Sequence, residues 1–146
     1  MRTWRAADSR RRDGADMPPS LVDAALVAVG GAAGALARWL LSDQVQRALG
    51  PFFPWGTLAV NVLGSLLLGF VATAALQGFF TRWQRLLLAT GFAGGFTTFS
   101  TFSYETYRLL AEYRLLHAAA NIAANVALGL LAVYLGHTLA IALSSR

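Results

Sequence analysis

One apolar stretch, Ala93-Gly94-Gly95-Phe96-Thr97-Thr98-Phe99-Ser100-Thr101-Phe102-Ser103, mixes a glycine pair with hydroxyl and phenyl side chains. Each glycine costs a helix about 1 kcal/mol relative to alanine, and hydroxyls compete for backbone hydrogen bonds. Two readings follow. A helix break here would free carbonyls in mid-membrane, natural ligands for a small cation, and would need protein or water around it. A continuous helix would instead use the small residues as a close-packing face. Phe96, Phe99 and Phe102 recur every three residues, a drifting stripe of core or lipid-facing rings. The hydroxyls interleaved with them argue that the segment faces protein or water rather than lipid. Phenyl edges are electropositive, so rings there offer an anion edge-on contact.

Two further pairs place polar side chains on one helical face, Asn61 with Ser65 and Asn121 with Asn125, each at i, i+4. Interhelical hydrogen bonding accounts for either pair alone. Together they form a set of amide and hydroxyl donors without carboxylates, which favours a neutral or anionic species over a proton-coupled cation. Arg38 either snorkels to the interface or belongs to a vestibule. Glu105 lies one turn beyond the phenylalanine stripe and reads as a structural cap or partner of an arginine, and Asp23 as interfacial. His117 and His137 have no partner cluster, and no Ser/His/Asp or dicarboxylate constellation is present, so the chain does not read as an enzyme. The absence of cysteine removes disulfides, thiolate metal sites and thiol nucleophiles.

The elements that must position these residues are membrane spans. Of 146 residues, 56% are hydrophobic and 13% charged, with a mean hydropathy of +0.52. Soluble domains carry about 25% charged residues. Four apolar stretches are long enough to cross a hydrocarbon core of about 30 Å: Leu21–Leu41, Trp55–Leu76, Leu86–Leu110 and Leu116–Leu143. Short connections, Ser42–Pro54, Gln77–Arg85 and Ala111–Leu115, join them. Trp39, Trp55, Trp83, Tyr107 and Tyr113 fall near span ends, where aromatic belts form. Residues 21–146 thus read as one four-helix membrane domain. Residues 1–20, charged and ending in Pro18-Pro19-Ser20, read as a disordered cytosolic tail rather than a signal peptide, because the apolar run after it exceeds an h-region of about 7–15 residues. Met17 stands just before the first span as an alternative start.

The net charge of +5 comes from twelve arginines, five of them within the first 12 positions and the others flanking apolar stretches. No basic face with interleaved aromatics forms, which argues against nucleic acid. With four spans, the side of the N-terminus also holds Arg82, Arg85 and Arg146, and the other side Arg38, Arg47, Arg108 and Arg114. Three stand against four; counting Arg10, Arg11 and Arg12 makes six against four. So small a bias permits insertion in both orientations and pairing of opposed copies, or a weakly biased single topology.

Three runs stand out in order along the chain: Gly30-Gly31-Ala32-Ala33-Gly34-Ala35-Leu36-Ala37-Arg38-Trp39, then Pro54-Trp55-Gly56-Thr57-Leu58-Ala59-Val60-Asn61-Val62-Leu63-Gly64-Ser65, then Gly91 to Glu105. Together they resemble the Fluc (CrcB) fluoride channel family. The third is long and specific. The fourth span is similar only in its Ala/Gly-rich character and its asparagines, and the charged tail lies outside the pattern. The resemblance implies an all-α integral membrane protein of four transmembrane helices, the third broken at its centre. It implies an antiparallel dual-topology homodimer in the bacterial plasma membrane with two fluoride pores, and passive fluoride export that relieves fluoride toxicity. It also implies a structural Na⁺ at the dimer interface, on the backbone carbonyls of Gly94 and Thr97 of each subunit. The pore residues it implies are Asn61, Phe99 and Phe102, with Ser100, Thr101 and Asn121 along the remaining wall and Arg38 in the vestibule.

A small dual-topology multidrug or cation transporter would also have four spans. It requires a membrane-embedded carboxylate, and Asp23 and Glu105 lie toward span ends. A purely structural assembly protein would use the same glycines and polar residues for packing alone.

Overall fold

A computed structural model of the chain describes residues 19–144. The expectations for residues 1–18, including the Met17 start, lie outside the described residues. Helix α1, Leu21–Leu49, begins at Ser20, whose side chain accepts from Asp23 N (3.1 Å) while Asp23 Oδ2 accepts from Ser20 N (3.0 Å). This reciprocal cap satisfies two of the orphan donors at a helix start. Asp23 is buried, and Arg82 meets its Oδ2 at 2.7 Å.

The connection expected over Ser42–Pro54 is corrected by the structure, because α1 continues through Leu49. Nothing in Ser42–Leu49 breaks a helix, and Asp43 and Arg47 pair across one turn at 3.0 Å. Termination waits for Gly50, at φ 87°, a conformation that favours glycine. Gln46 then straps the turn, donating to Gly50 O (2.6 Å) and Phe53 O (3.0 Å) and accepting from Gly56 N (3.2 Å).

Helix α2, Trp55–Leu76, is the most enclosed of the long helices. Helix α6, Leu115–Ser144, packs along it, and at Gly136 a Cβ would collide with Leu66 O. Helices α1, α2 and α6 are long and apolar enough to cross a membrane. Their large outward residues, Trp39, Leu68, Leu130 and Leu139 among them, are exposed. In lipid such a surface costs nothing.

Between α2 and α6 the chain is helical twice. Helix α3, Arg82–Arg85, starts on a Thr81/Gln84 capping box and runs into a wide π-helical segment, Leu86–Ala93, and then α4, Gly94–Phe96. This stretch packs on α1 so closely that a Cβ at Gly34 would strike Phe92 O. The π-helical turns were not expected from the sequence; such turns commonly mark functional sites. Thr97 (φ −85°, ψ 159°) and Thr98 (φ −150°, ψ 114°) are extended, and α5, Phe99–Ala111, follows. Neither piece alone has the roughly 20 residues that a crossing needs. Tyr113, at φ 58°, turns the chain into α6.

Candidate functional site

The site grows from the interruption at Thr97-Thr98. The last regular bond runs from Thr97 N to Ala93 O (3.1 Å), reinforced by Thr97 Oγ1 on the same carbonyl (3.1 Å). In a continuous helix Thr98 N would bond Gly94 O and Thr101 N would bond Thr97 O. Instead Thr98 N donates to Asn61 Oδ1 (2.8 Å), and Thr101 N donates to Thr98 Oγ1 (3.2 Å), which caps α5. Two carbonyls are thereby released from the helical ladder.

What meets those carbonyls differs. Gly94 is exposed in the single chain. Thr97 O accepts from Arg38 Nη1 at 3.3 Å, so α1 delivers a guanidinium to the break. Arg38 is half-buried. Freed backbone carbonyls are neutral, hard oxygen donors, the kind of ligand a hard monovalent cation accepts. A second lone pair remains on Thr97 O beside the arginine.

Helix α2 brings Asn61 to the other side of the break. Its side-chain amide brackets the backbone of Thr98, accepting from N and donating to O (3.2 Å), and it also donates to Asn125 Oδ1 of α6 (2.9 Å). Asn61, Ser65, Thr97, Thr98, Phe99, Phe102 and Asn125 line an open cavity of about 290 Å³. The Phe99 and Phe102 ring centroids are 5.6 Å apart at 48°, and Phe99 is 79% exposed. Phe96 leaves the expected stripe: the break turns it inward, where it is buried and stacks on Phe92 at 5.6 Å.

The remaining sequence candidates are placed as follows. Ser100 and Thr101 lie in the first turn of α5, their hydroxyls 3.3 and 3.0 Å from Thr98 Oγ1. Asn121 is fully buried behind the cavity, and it is Asn125, one turn on, that reaches the lining. Asn125 donates to Asn121 Oδ1 and O (both 3.0 Å), Asn121 donates to Thr106 Oγ1 (2.9 Å), and Thr106 donates to Phe102 O (2.7 Å). Thr98 and Thr106 join the site beyond the residues the sequence points to, and for Thr106 the sequence holds no signal beyond a hydroxyl in an apolar helix. Glu105 faces a separate cavity of about 310 Å³ with Gln46, Arg108 and Arg114. Its Oε2 is buried with no hydrogen-bond partner. His137 Nδ1 lies 2.9 Å from Thr73 Oγ1, away from this site.

The family described as "CrcB-like protein, Camphor Resistance (CrcB)" matches residues 25–137. A protein of Geobacter sulfurreducens named "Fluoride-specific ion channel FluC" is 50% identical over 111 residues, covering 75% of this chain and 90% of the relative. The protein of that name from Rhizobium etli is 44% identical over 117 residues, 80% of this chain and 94% of the relative. The one from Thermus thermophilus is 48% identical over 114 residues, 78% and 90% respectively. All of the site described above, from Arg38 to Asn125, falls within the matched residues, and the chain belongs to the CrcB-like family.

Proposed function

We propose that this chain forms a fluoride-specific channel that lets fluoride leave the cytoplasm passively. The observation that carries the reading is the Asn61 amide locked onto the Thr98 backbone beside the Phe99/Phe102 pair, in a family whose relatives carry the name of a fluoride channel. The protein is multi-pass in the plasma membrane. Residues 82–111 supply a fourth, interrupted crossing, so that 21–146 form one four-helix unit, and two copies assemble antiparallel in dual topology.

Fluoride is small and holds its water tightly, so a pore must replace that water with donors and still release the ion. Both N–H hydrogens of the Asn61 amide are already engaged, by Thr98 O and Asn125 Oδ1. An arriving anion therefore exchanges with an existing acceptor instead of filling an empty donor, which limits how tightly it is held. The rings of Phe99 and Phe102 offer edges and exclude competing hydrogen-bond acceptors. The N-terminal dipole of α5 and the Arg38 charge both favour an anion at this depth. Ser100 and Thr101 add hydroxyls on the α5 side. The carbonyls of Gly94 and Thr97 from two subunits would hold a Na⁺ at the dimer interface, where it supplies positive charge and ties the interrupted segments together.

The test is fluoride efflux from liposomes containing the purified protein, read with a fluoride electrode beside a chloride control. Wild type is expected to empty fluoride without chloride, and Phe99→Ile, with the dimer intact, to slow efflux by about tenfold or more. Dimeric wild-type protein that passes no fluoride overturns the reading.

A further inference from the structure

The polar contacts at the cavity form one chain with fixed ends. It starts at Thr98 N–H, which can only donate, and ends at Phe102 C=O, which can only accept. Between them each residue accepts from the one before and donates to the next: Asn61 (2.8 Å from Thr98 N), Asn125 (2.9 Å), Asn121 (3.0 Å), Thr106 (2.9 Å) and then Phe102 O (2.7 Å). An amide normally has two orientations of similar shape, with oxygen and nitrogen exchanged. Here neither end can reverse, so no amide in between can turn over without setting donor against donor or acceptor against acceptor. Both ends belong to the same interrupted segment, while the middle crosses α2 and α6. Of the four middle residues, Asn61 and Asn125 reach the cavity, and Asn121 and Thr106 are buried behind it.

We infer that Thr106 and Asn121 are positioning residues that hold the Asn121 side-chain oxygen toward Asn125, so that the Asn125 N–H keeps one arrangement as ions pass, while Asn61 is fixed by the Thr98 backbone itself. The inference rests on the channel reading above and adds to it a residue pair that need not touch the ion. Thr106 enters because, with its hydroxyl hydrogen on Phe102 O, its oxygen is the acceptor for Asn121 Nδ2. Without that hydroxyl, Asn121 Nδ2 has no acceptor on the α5 side. The Asn121 amide is then held on one side only, and its Oδ1 no longer stays in place as the acceptor for Asn125.

The experiment compares Thr106→Val, which keeps the shape and removes the hydroxyl, with Thr106→Ser, which keeps the hydroxyl and removes a methyl group. Fluoride efflux from liposomes is read together with the side-chain amide ¹⁵N–¹H resonances of Asn125 in the assembled protein. Thr106→Val is expected to slow efflux about tenfold and to shift or double the Asn125 resonances, and Thr106→Ser to stay within about twofold of wild type with a single set. A packing role predicts the reverse order, and that order overturns the inference. An unmoved Asn125 signal in Thr106→Val also overturns it. Should Thr106→Val not assemble, Asn121→Ser cuts the chain at its next link, since a serine hydroxyl is too short to reach both neighbours, and the same two readouts apply. The resonances need no ion flux, so a wild type that passes no fluoride removes the channel reading while the amide order is still judged.

Discussion

The two ends of the Thr97-Thr98 break have opposite chemistry. On the α4 side the helix finishes, and carbonyls of Gly94 and Thr97 lose their ladder partners; what comes to them is a guanidinium, Arg38 on Thr97 O. On the α5 side a helix begins, and what comes to its backbone is an amide that both accepts and donates, Asn61 on Thr98. A helix end is electronegative and a helix start electropositive. One two-residue interruption therefore sets freed carbonyls beside a helix start, with an arginine at the first and a neutral amide at the second. Backbone direction distinguishes the two ends before any side chain is counted.

That contrast predicts its largest effect at Asn61. Asn61→Ala removes three hydrogen bonds at once, those with Thr98 N, Thr98 O and Asn125. At about 1 kcal/mol each the loss is near 3 kcal/mol, or about a hundredfold in rate if it falls on the conducting state. Electrode-measured efflux is expected to drop by that order. A variant that conducts like wild type would show that the α5 side of the break does not need its amide.

How much of this was legible in the sequence depends on whether a feature is local. The glycine pair and the hydroxyl run announce a weak point in a helix, and the three long apolar helices follow from their composition and length. The first helix runs eight residues past the expected Leu41, because Ser42–Leu49 is polar enough to resemble a loop and only Gly50 carries a stop signal. The π-helical turns over Leu86–Ala93 come from packing against α1, which no periodicity in LLLATGFA reports. Asn121 and Asn125 share a face, so spacing alone cannot say that one is buried and the other reaches the cavity. The bond from Thr106 to Asn121 joins residues 15 positions apart on different helices, and nothing local encodes it.

A middle-sized effect is expected on the other side of the break. Arg38→Met leaves Thr97 O without its guanidinium and removes a positive charge from the freed carbonyls. Like charges near a common ligand oppose each other, so for the proposed antiparallel dimer and its proposed Na⁺ the sodium concentration needed for pairing is expected to fall several-fold, read by cross-linking in sodium against a large organic cation. The fluoride-to-chloride ratio in liposomes is expected to stay within about twofold of wild type, because Arg38 bonds Thr97 O and is not among the residues lining the Asn61/Phe99/Phe102 cavity. A collapse of that ratio would merge the two sides into one site and break the comparison.

The smallest effect belongs to a contact that holds the interrupted segment without reaching its ends. Arg82 opens α3 and pairs at 2.7 Å with Asp23 in the first turn of α1, where the carboxylate is buried and the arginine side chain 30% exposed. Asp23→Asn keeps an oxygen for the Ser20 cap and removes the charge. A fully buried pair would lose several kcal/mol when one partner is neutralised, and an exposed pair almost nothing. With Arg82 partly in solvent, the expected loss is small, a drop of a few degrees in Tm followed in detergent. Selectivity is expected to be unchanged, because the pair secures where the segment starts while the break's polarity is set by the residues that contact it. Were Asp23→Asn to alter the fluoride-to-chloride ratio at unchanged Tm, the carboxylate would belong to the conduction path, and opposed backbone ends would no longer suffice to explain how this fold separates charge.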